Sequence, residues 1–287
     1  MCRNFFSRLK VLFYAGAGLS QPTWDELTRL AIATTGERII FLSSLGSTET
    51  APAALACSWD FDRPGNIGLP MPGVELKLVP NEGKLEARLR GPHITPGYWR
   101  QEHHTREAFD QEGFYRLGDA LKFVDPDDAG KGLLFDGRIA EDYKLSTGTW
   151  VSVGPLRARF VAACAPLVRD VVIAGINRDE ISALVVLDLD GCRLINPTLP
   201  LDDLAAAASD PLIVAAFRER FHKLVAGATG SSTRITRAVL LDQPLSIDRG
   251  EVTDKGSINQ RAVLEHRGEL IEELYAANPS NRVISVG

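Results

Sequence analysis

Few side chains in this sequence could bind a metal or act as nucleophiles, and their spacing restricts them further. Cys2, Cys57, Cys164 and Cys192 are scattered and form no C-x-x-C pair, so they specify neither a zinc site nor a disulfide framework. They read as reduced, partly buried thiols. His103 and His104 are adjacent; successive helical side chains diverge by about 100°, so the two are expected not to share an ion. The other candidates are oxygen and cationic groups beside turns. Ser47-Thr48-Glu49 has the make-up of a helix start, a hydroxyl cap followed by an acid. Asp119 follows Gly118 as a turn aspartate would, and Arg138 follows Asp136-Gly137 and suits a surface salt bridge. Gly148 lies in the turn-like stretch KLSTGTW, and Lys255 in TDKG reads locally as a solvated lysine.

These residues must be positioned by an alternating α/β chain. Residues 9–14 read as a short apolar strand, 16–20 as a glycine turn, and 22–35 as a helix with Trp24, Leu27, Leu30 and Ala31 at three- and four-residue spacing. A second strand over 38–42 leads into the polar turn 43–49. Strand, helix, strand implies a parallel βαβ unit, and open α/β sheets bind ligands at the carboxyl ends of their strands. Arg3, Arg8 and Lys10 ahead of residues 11–19 imitate a signal peptide. Gly16 and Gly18 interrupt that apolar stretch, which is read instead as a buried strand running into a turn.

Composition shifts at Pro64. Glycine and proline become dense, and the alternating stretches 74–79 and 85–89 predict short antiparallel strands. A third composition begins near Gly137: a helix over 156–165, strands over 171–174, 183–189 and 238–241, a proline loop over 196–201, and helices over 211–225 and 258–277. Across all 287 residues, 32 Lys+Arg against 37 Asp+Glu leave a net charge of −5, with 45% hydrophobic and 24% charged residues. That is enough apolar surface to exclude a disordered chain. No apolar run reaches the roughly 18–20 residues of a membrane-spanning helix, and the acidic balance argues against a nucleic-acid partner. A cytoplasmic location is expected.

Several segments in order resemble the adenylate-forming acyl-CoA synthetases, the AMP-binding superfamily. YAGAGLS (14–20) looks like the glycine segment that borders adenine in that family, and LGSTET (45–50) like its aromatic-Gly-x-Thr-Glu motif, with Leu45 in the aromatic position. GNIGLPMPGVELKLV (65–79) matches the family's barrel segment. YRLGD (115–119) matches Tyr-Arg-Thr-Gly-Asp with Leu117 in the threonine position. DGR (136–138), followed by Lys144 and Gly148, resembles the junction to a mobile carboxyl-terminal domain. Within the family, residues 135–157 and 250–265 look most like feruloyl-CoA synthetases.

The resemblance implies an α/β fold: a partial amino-terminal βαβ layer (1–63), a small β-rich, barrel-like subdomain (64–136) and a carboxyl-terminal α+β lid (137–287). It implies ATP-dependent ligation of an aromatic carboxylate such as ferulate to coenzyme A, through an acyl adenylate. Negative charge concentrates on phosphate oxygens in the first step, which calls for Mg²⁺ and fixed donors. Thr48 would bond a phosphate and Glu49 would hold Mg²⁺ as a hard carboxylate. Gly16 and Ala17 would border adenine, Asp119 would hold the ribose diol, and Arg138 would contact ribose or phosphate. Lys144 and Gly148 would lie along the pantetheine arm of CoA, with Trp150 in interdomain packing. Lys255 is the candidate catalytic lysine, a flexible point charge for phosphoryl transfer, although its spacing to Arg261 departs from Gly-Lys-x-x-Arg. Ala140 stands where many relatives have a hinge aspartate.

The family's phosphate loop has no counterpart here, since residues 1–13 hold only Ser7 and no glycine. The chain therefore reads as the carboxyl-terminal half of an enzyme, inactive alone, with small-molecule substrates. A homo-oligomer or a complementary amino-terminal half is the expected protein partner, because the face of the βαβ unit would otherwise be exposed. The alternative is a non-catalytic nucleotide- or CoA-binding remnant that docks a partner.

Overall fold

A computed structural model describes residues 2–61, 63–81, 83–253 and 256–286. Two compact units, Met1–Ala140 and Glu141–Gly287, make up the chain. Among the described residues no helix is long and apolar enough to cross a membrane.

The first unit opens with α1 (Cys2–Phe6), β1 (Val11–Ala15), α2 (Gln21–Thr35) and β2 (Ile40–Leu45). Ser20 caps α2 by accepting from the Thr23 N–H, Pro22 occupies the first turn, and Gly36 closes the helix. β1 and β2 are parallel, with Val11 opposite Ile40 and Ala15 opposite Ser44, so the stretch that imitates an h-region starts as a strand, though one at the sheet edge with no residue buried rather than the buried strand expected. Leu12, Tyr14, Leu27 and Leu30 face a core in which the Trp24 ring stacks on Phe41 with centroids 3.8 Å apart. The opposite face leaves Val11, Phe13 and Ile40 exposed.

Beyond β2 the sheet continues through β3 (Leu55–Cys57), β4 (Asn66–Pro70), β5 (Glu75–Asn81), β6 (Lys84–Arg90), the helix α3 (Glu102–Ala108), β7 (Tyr115–Phe123) and β8 (Leu133–Arg138). Its order is β1-β2-β3-β4-β8-β7-β6-β5. The barrel-like expectation for residues 64–136 is corrected: their strands form an open antiparallel array, β4-β8-β7-β6-β5, with β5 at the edge of the sheet. A core of Leu55, Ile67, Leu89, Leu121 and Leu133 underlies it.

The second unit begins with the short hairpin β9 (Tyr143–Lys144) and β10 (Trp150–Val151), followed by α4 (Val153–Cys164), β11 (Val168–Ala174) and β12 (Ile181–Leu187). It continues through α5 (Leu189–Ile195), α6 (Leu204–Ser209), α7 (Pro211–Ala226), β13 (Ile235–Leu240), α8 (Gln260–His266), α9 (Gly268–Tyr275) and β14 (Val283–Ser285). Its sheet runs β11-β12-β13-β14. The alternation over 183–189 suggests one buried face, yet every residue of β12 is buried. Val185 and Leu187 enter one core with Phe160, Phe217 and Phe221, while Leu184 and Val186 enter another beneath α8 and α9. The single helix expected over 258–277 is two helices. The break falls at Arg267 and Gly268, where Arg267 is drawn to the buried Glu251 carboxylate at 2.8 Å and to the Pro244 carbonyl at 2.7 Å.

Phe217 is fully buried between Phe160 and Phe221. Phe217→Ala is expected to cost about 3–5 kcal/mol in urea unfolding of the second unit. In the first unit Asp110 accepts from Lys77 at 2.7 Å, Arg88 at 3.1 Å and the Phe114 N–H at 2.9 Å. The Lys77 ammonium above all holds the Asp110 carboxyl well below the usual carboxylate range. Its folded pKa lies below the unfolded value of about 3.9, so its contribution is full above that pH and lost as pH falls through the folded pKa. Asp110→Asn is expected to melt earlier at pH 7, and the deficit should shrink in melts recorded at progressively lower pH below 4.

Candidate active site

The two turns at the carboxyl ends of β1 and β2 emerge side by side, because the strands are parallel and in register to Ala15 and Ser44. Gly16 and Ala17 lie on the first turn, where Gly16 adopts a positive φ of 74°. Thr48 and Glu49 lie on the second, in a single 3₁₀ turn, Thr48–Thr50. Ser47 takes the cap position of this turn, but its hydroxyl makes no capping bond; instead the Ser47 N–H donates to Thr50 Oγ1 at 2.8 Å, and Thr50 is fully buried. Gly46 makes this tight turn possible, since a Cβ there would stand 2.1 Å from the Pro52 carbonyl oxygen. With Thr50 turned inward, the Thr48 side chain is left exposed and Glu49 is half-buried.

Glu49 has a partner that the sequence does not reveal. Tyr98 Oη donates to Glu49 Oε1 at 2.9 Å, and the Thr95 N–H donates to the Glu49 carbonyl at 2.8 Å. Partial burial pushes the Glu49 carboxyl up, but hydrogen bonds from Ser47, its own backbone and Tyr98 outweigh it and hold it below the ordinary value. Tyr98 Oη also lies 3.5 Å from Tyr115 Oη. A line of polar groups therefore runs from the β2 turn to the start of β7. Neighbouring charge and burial drive the Tyr98 phenol above its usual range, the hydrogen bond with Tyr115 contributing most.

Asp119 and Arg138 come together as cross-strand partners on β7 and β8. The β7 ladder shifts register immediately after Asp119, a bulge of the kind that re-aims side chains beside functional sites. The Arg138 Nε stands 3.7 Å from Asp119 Oδ1; the Asp119 side chain is 11% exposed and that of Arg138 is 68% exposed. The arginine can thus swing toward a ligand while the carboxylate stays fixed. Asp136, beside this pair, is held by Lys122 at 2.9 Å, and its carbonyl by Lys84 at 2.6 Å.

Lys144 and Gly148 belong to the second unit, in the β9–β10 hairpin. The Lys144 ammonium lies 5.4 Å from the centre of the Trp150 ring, within cation–π range. Gly148 has a φ of 80° and nothing within 4 Å of where a Cβ would sit. Lys255 lies outside the described residues. Cys57, Cys164 and Cys192 are buried and Cys2 is exposed, all as free thiols. Burial pushes the Cys164 thiol up to about 12, leaving it unreactive. His103 and His104 approach a shared carboxylate more closely than the 100° argument anticipates, because Glu107 lies between them on α3.

The Tyr98 contact predicts a titration effect. Tyr98→Phe removes a donor to a charged acceptor, worth about 1.5–3 kcal/mol. The Glu49 carboxyl is expected to titrate at higher pH in this variant, as read by carbon-13 NMR of side-chain carboxyls. An unchanged titration would show that Ser47 and the backbone suffice.

Known proteins bear on this geometry. Residues 3–99 match the family model described as AMP-binding enzyme. Over 83% of its length the chain is 23% identical to a long-chain-fatty-acid–[acyl-carrier-protein] ligase, AEE15, of Arabidopsis thaliana, covering 33% of that protein. It is 27% identical to the long-chain-fatty-acid–CoA ligase FadD15 of Mycobacterium bovis, over 84% of this chain and 39% of the relative. The chain thus spans about a third of the length of the curated relatives it matches. Among solved structures it is similar to the A–PCP didomain of carboxylic acid reductase from Segniliparus rugosus in complex with AMP. That match has a TM-score of 0.67 at 22% identity, over 92% of this chain and 34% of the other. Residues 3–99 are thus similar in sequence to AMP-binding enzymes, and nine-tenths of the chain shares the fold of the solved didomain.

Proposed function

We propose that this chain carries the ribose-binding and metal-facing part of an ATP-dependent carboxylate ligase that forms an acyl adenylate and passes the acyl group to coenzyme A. The observation that carries this reading is the cross-strand pairing of a recessed Asp119 with an exposed Arg138. A fixed carboxylate offers two acceptor oxygens to a ribose diol, and an adjacent guanidinium offers donors to ribose or phosphate. At the β2 turn, Glu49 is held ionised with Oε1 engaged by Tyr98. Its second oxygen and the exposed Thr48 hydroxyl form a hard-oxygen donor set that suits Mg²⁺, which binds through one or two carboxylates together with substrate phosphates. When bound there, Mg²⁺ would neutralise charge developing on the phosphates.

In this reading Gly16 and Ala17 border adenine, Lys144 and Gly148 serve the CoA arm, and Lys255 brings its charge to the phosphoryl group. Residues 135–157 and 250–265 favour an aromatic acid such as ferulate. The long-chain acyl ligases among the relatives make a fatty acid the competing substrate. A second reading has the chain bind nucleotide or CoA without catalysing ligation alone. The exposed Val11, Phe13 and Ile40 would then meet a second copy or a complementary segment. The expected location is cytoplasmic.

Calorimetric titration with ATP and Mg²⁺ tests the site, with ATP–pyrophosphate exchange on ferulate and palmitate testing the chemistry. Binding is expected, and Asp119→Ala is expected to weaken it at least tenfold, with no exchange by the chain alone. Exchange by the isolated chain would overturn its inactivity, and undiminished binding by Asp119→Ala would overturn the ribose assignment.

A further inference from the structure

Helix α3 presents three metal-ligating side chains on one outward face. His103, His104 and Glu107 are all exposed, and one ligand atom from each can be chosen so that all lie within 4.8 Å of one another. Adjacent side chains do diverge by about 100°, but a residue four positions on returns to about 40° from the first, between the two. Glu107 occupies that position: its Oε2 is 3.2 Å from His103 Nδ1 and 4.0 Å from His104 Nδ1. Bonds of about 2.0–2.1 Å to a tetrahedral ion place donor atoms roughly 3.4 Å apart. The first pair already meets that spacing, and a small rotation of an exposed imidazole brings in the second.

The scaffold beneath these groups is held in place. Thr105, at about 200° from His103 and so on the opposite side, accepts from the Tyr98 N–H at 2.9 Å through Oγ1 and donates to the Gln101 carbonyl at 3.0 Å. The helix is therefore tied down by its inner face while the three ligands stay free to move on the outer one.

We propose that His103, His104 and Glu107 form a binding site for a borderline divalent d-block cation such as Zn²⁺, separate from the hard-oxygen set at Glu49. Two imidazoles and one carboxylate prefer Zn²⁺, Ni²⁺ or Cu²⁺ to Mg²⁺, and three protein ligands leave a coordination position for water. Nothing in this assignment depends on the ligase reading.

Equilibrium dialysis of the whole chain against Zn²⁺ alone tests it, in a Cys2→Ser background because that exposed thiol also takes zinc. About one ion per chain is expected. Glu107→Gln and His103→Ala should each weaken uptake at least tenfold, and His104→Ala severalfold, while the exposed His222→Ala on α7 leaves it unchanged. Circular dichroism confirms that each variant is folded. The site is overturned if the background chain takes up no more Zn²⁺ than a variant combining His103→Ala, His104→Ala and Glu107→Gln, or if His222→Ala loses as much as His103→Ala.

Discussion

The first unit depends on one backbone approach, at β4. This strand pairs with β3 on one side and β8 on the other, joining the βαβ layer to the antiparallel meander. At Gly68 a Cβ would lie 1.9 Å from the Ala56 carbonyl oxygen, and φ is 78°, so only glycine fits. Asn66 secures the joint from within: Oδ1 accepts from the Gly68 N–H at 2.9 Å, Nδ2 donates to the Lys131 carbonyl at 3.2 Å, and its own carbonyl accepts from Ser43 Oγ. Ser43 is on β2, just before the Glu49 turn, and β8 ends at Arg138. One crowded crossing thus connects the strand that leads to the acid turn with the strand that carries the guanidinium.

Two of the departures from the motifs this chain resembles, Leu45 and Leu117, have a shared physical explanation. Leu45 and Leu117 both pack on the core of Leu55, Leu89 and Leu121. Where the motif would carry an aromatic and a hydroxyl, this chain has two aliphatic side chains against the same apolar cluster. Glu49 and Asp119 stand four and two residues further on and retain their polar settings. The substitutions therefore fall on the packing side of each loop.

Much of the scaffold was legible in the sequence because it follows from local periodicity. The β1–α2–β2 unit, the strands β5 and β6 and the helix α7 all follow from apolar spacing and punctuation by glycine and proline. Asp119 and Arg138 were legible as candidates, although their pairing needed the register of β7 and β8. Tyr98 was not legible, since it acts on a carboxylate 49 positions away and no local pattern encodes such a contact. The two-helix ending after Asn259 was hidden similarly: Arg267 answers a buried acid sixteen residues upstream. The alternation over 183–189 points to one buried face of β12, whereas its alternate residues enter two cores, one on each face. Rotation about α3 shows the converse failure: adjacency seemed to separate His103 from His104 until the residue one turn later was counted.

The outward face of β1 carries a colloidal consequence. Among the described residues β1 is an edge strand, and its Val11 and Phe13 are exposed next to exposed Ile40, a combination that templates pairing with another chain. A net charge of −5 spread over the chain gives little repulsion at physiological salt, where the Debye length is about 8 Å. Encounter between two such edges is second order in protein. Loss of soluble material should therefore scale with the square of concentration at early times.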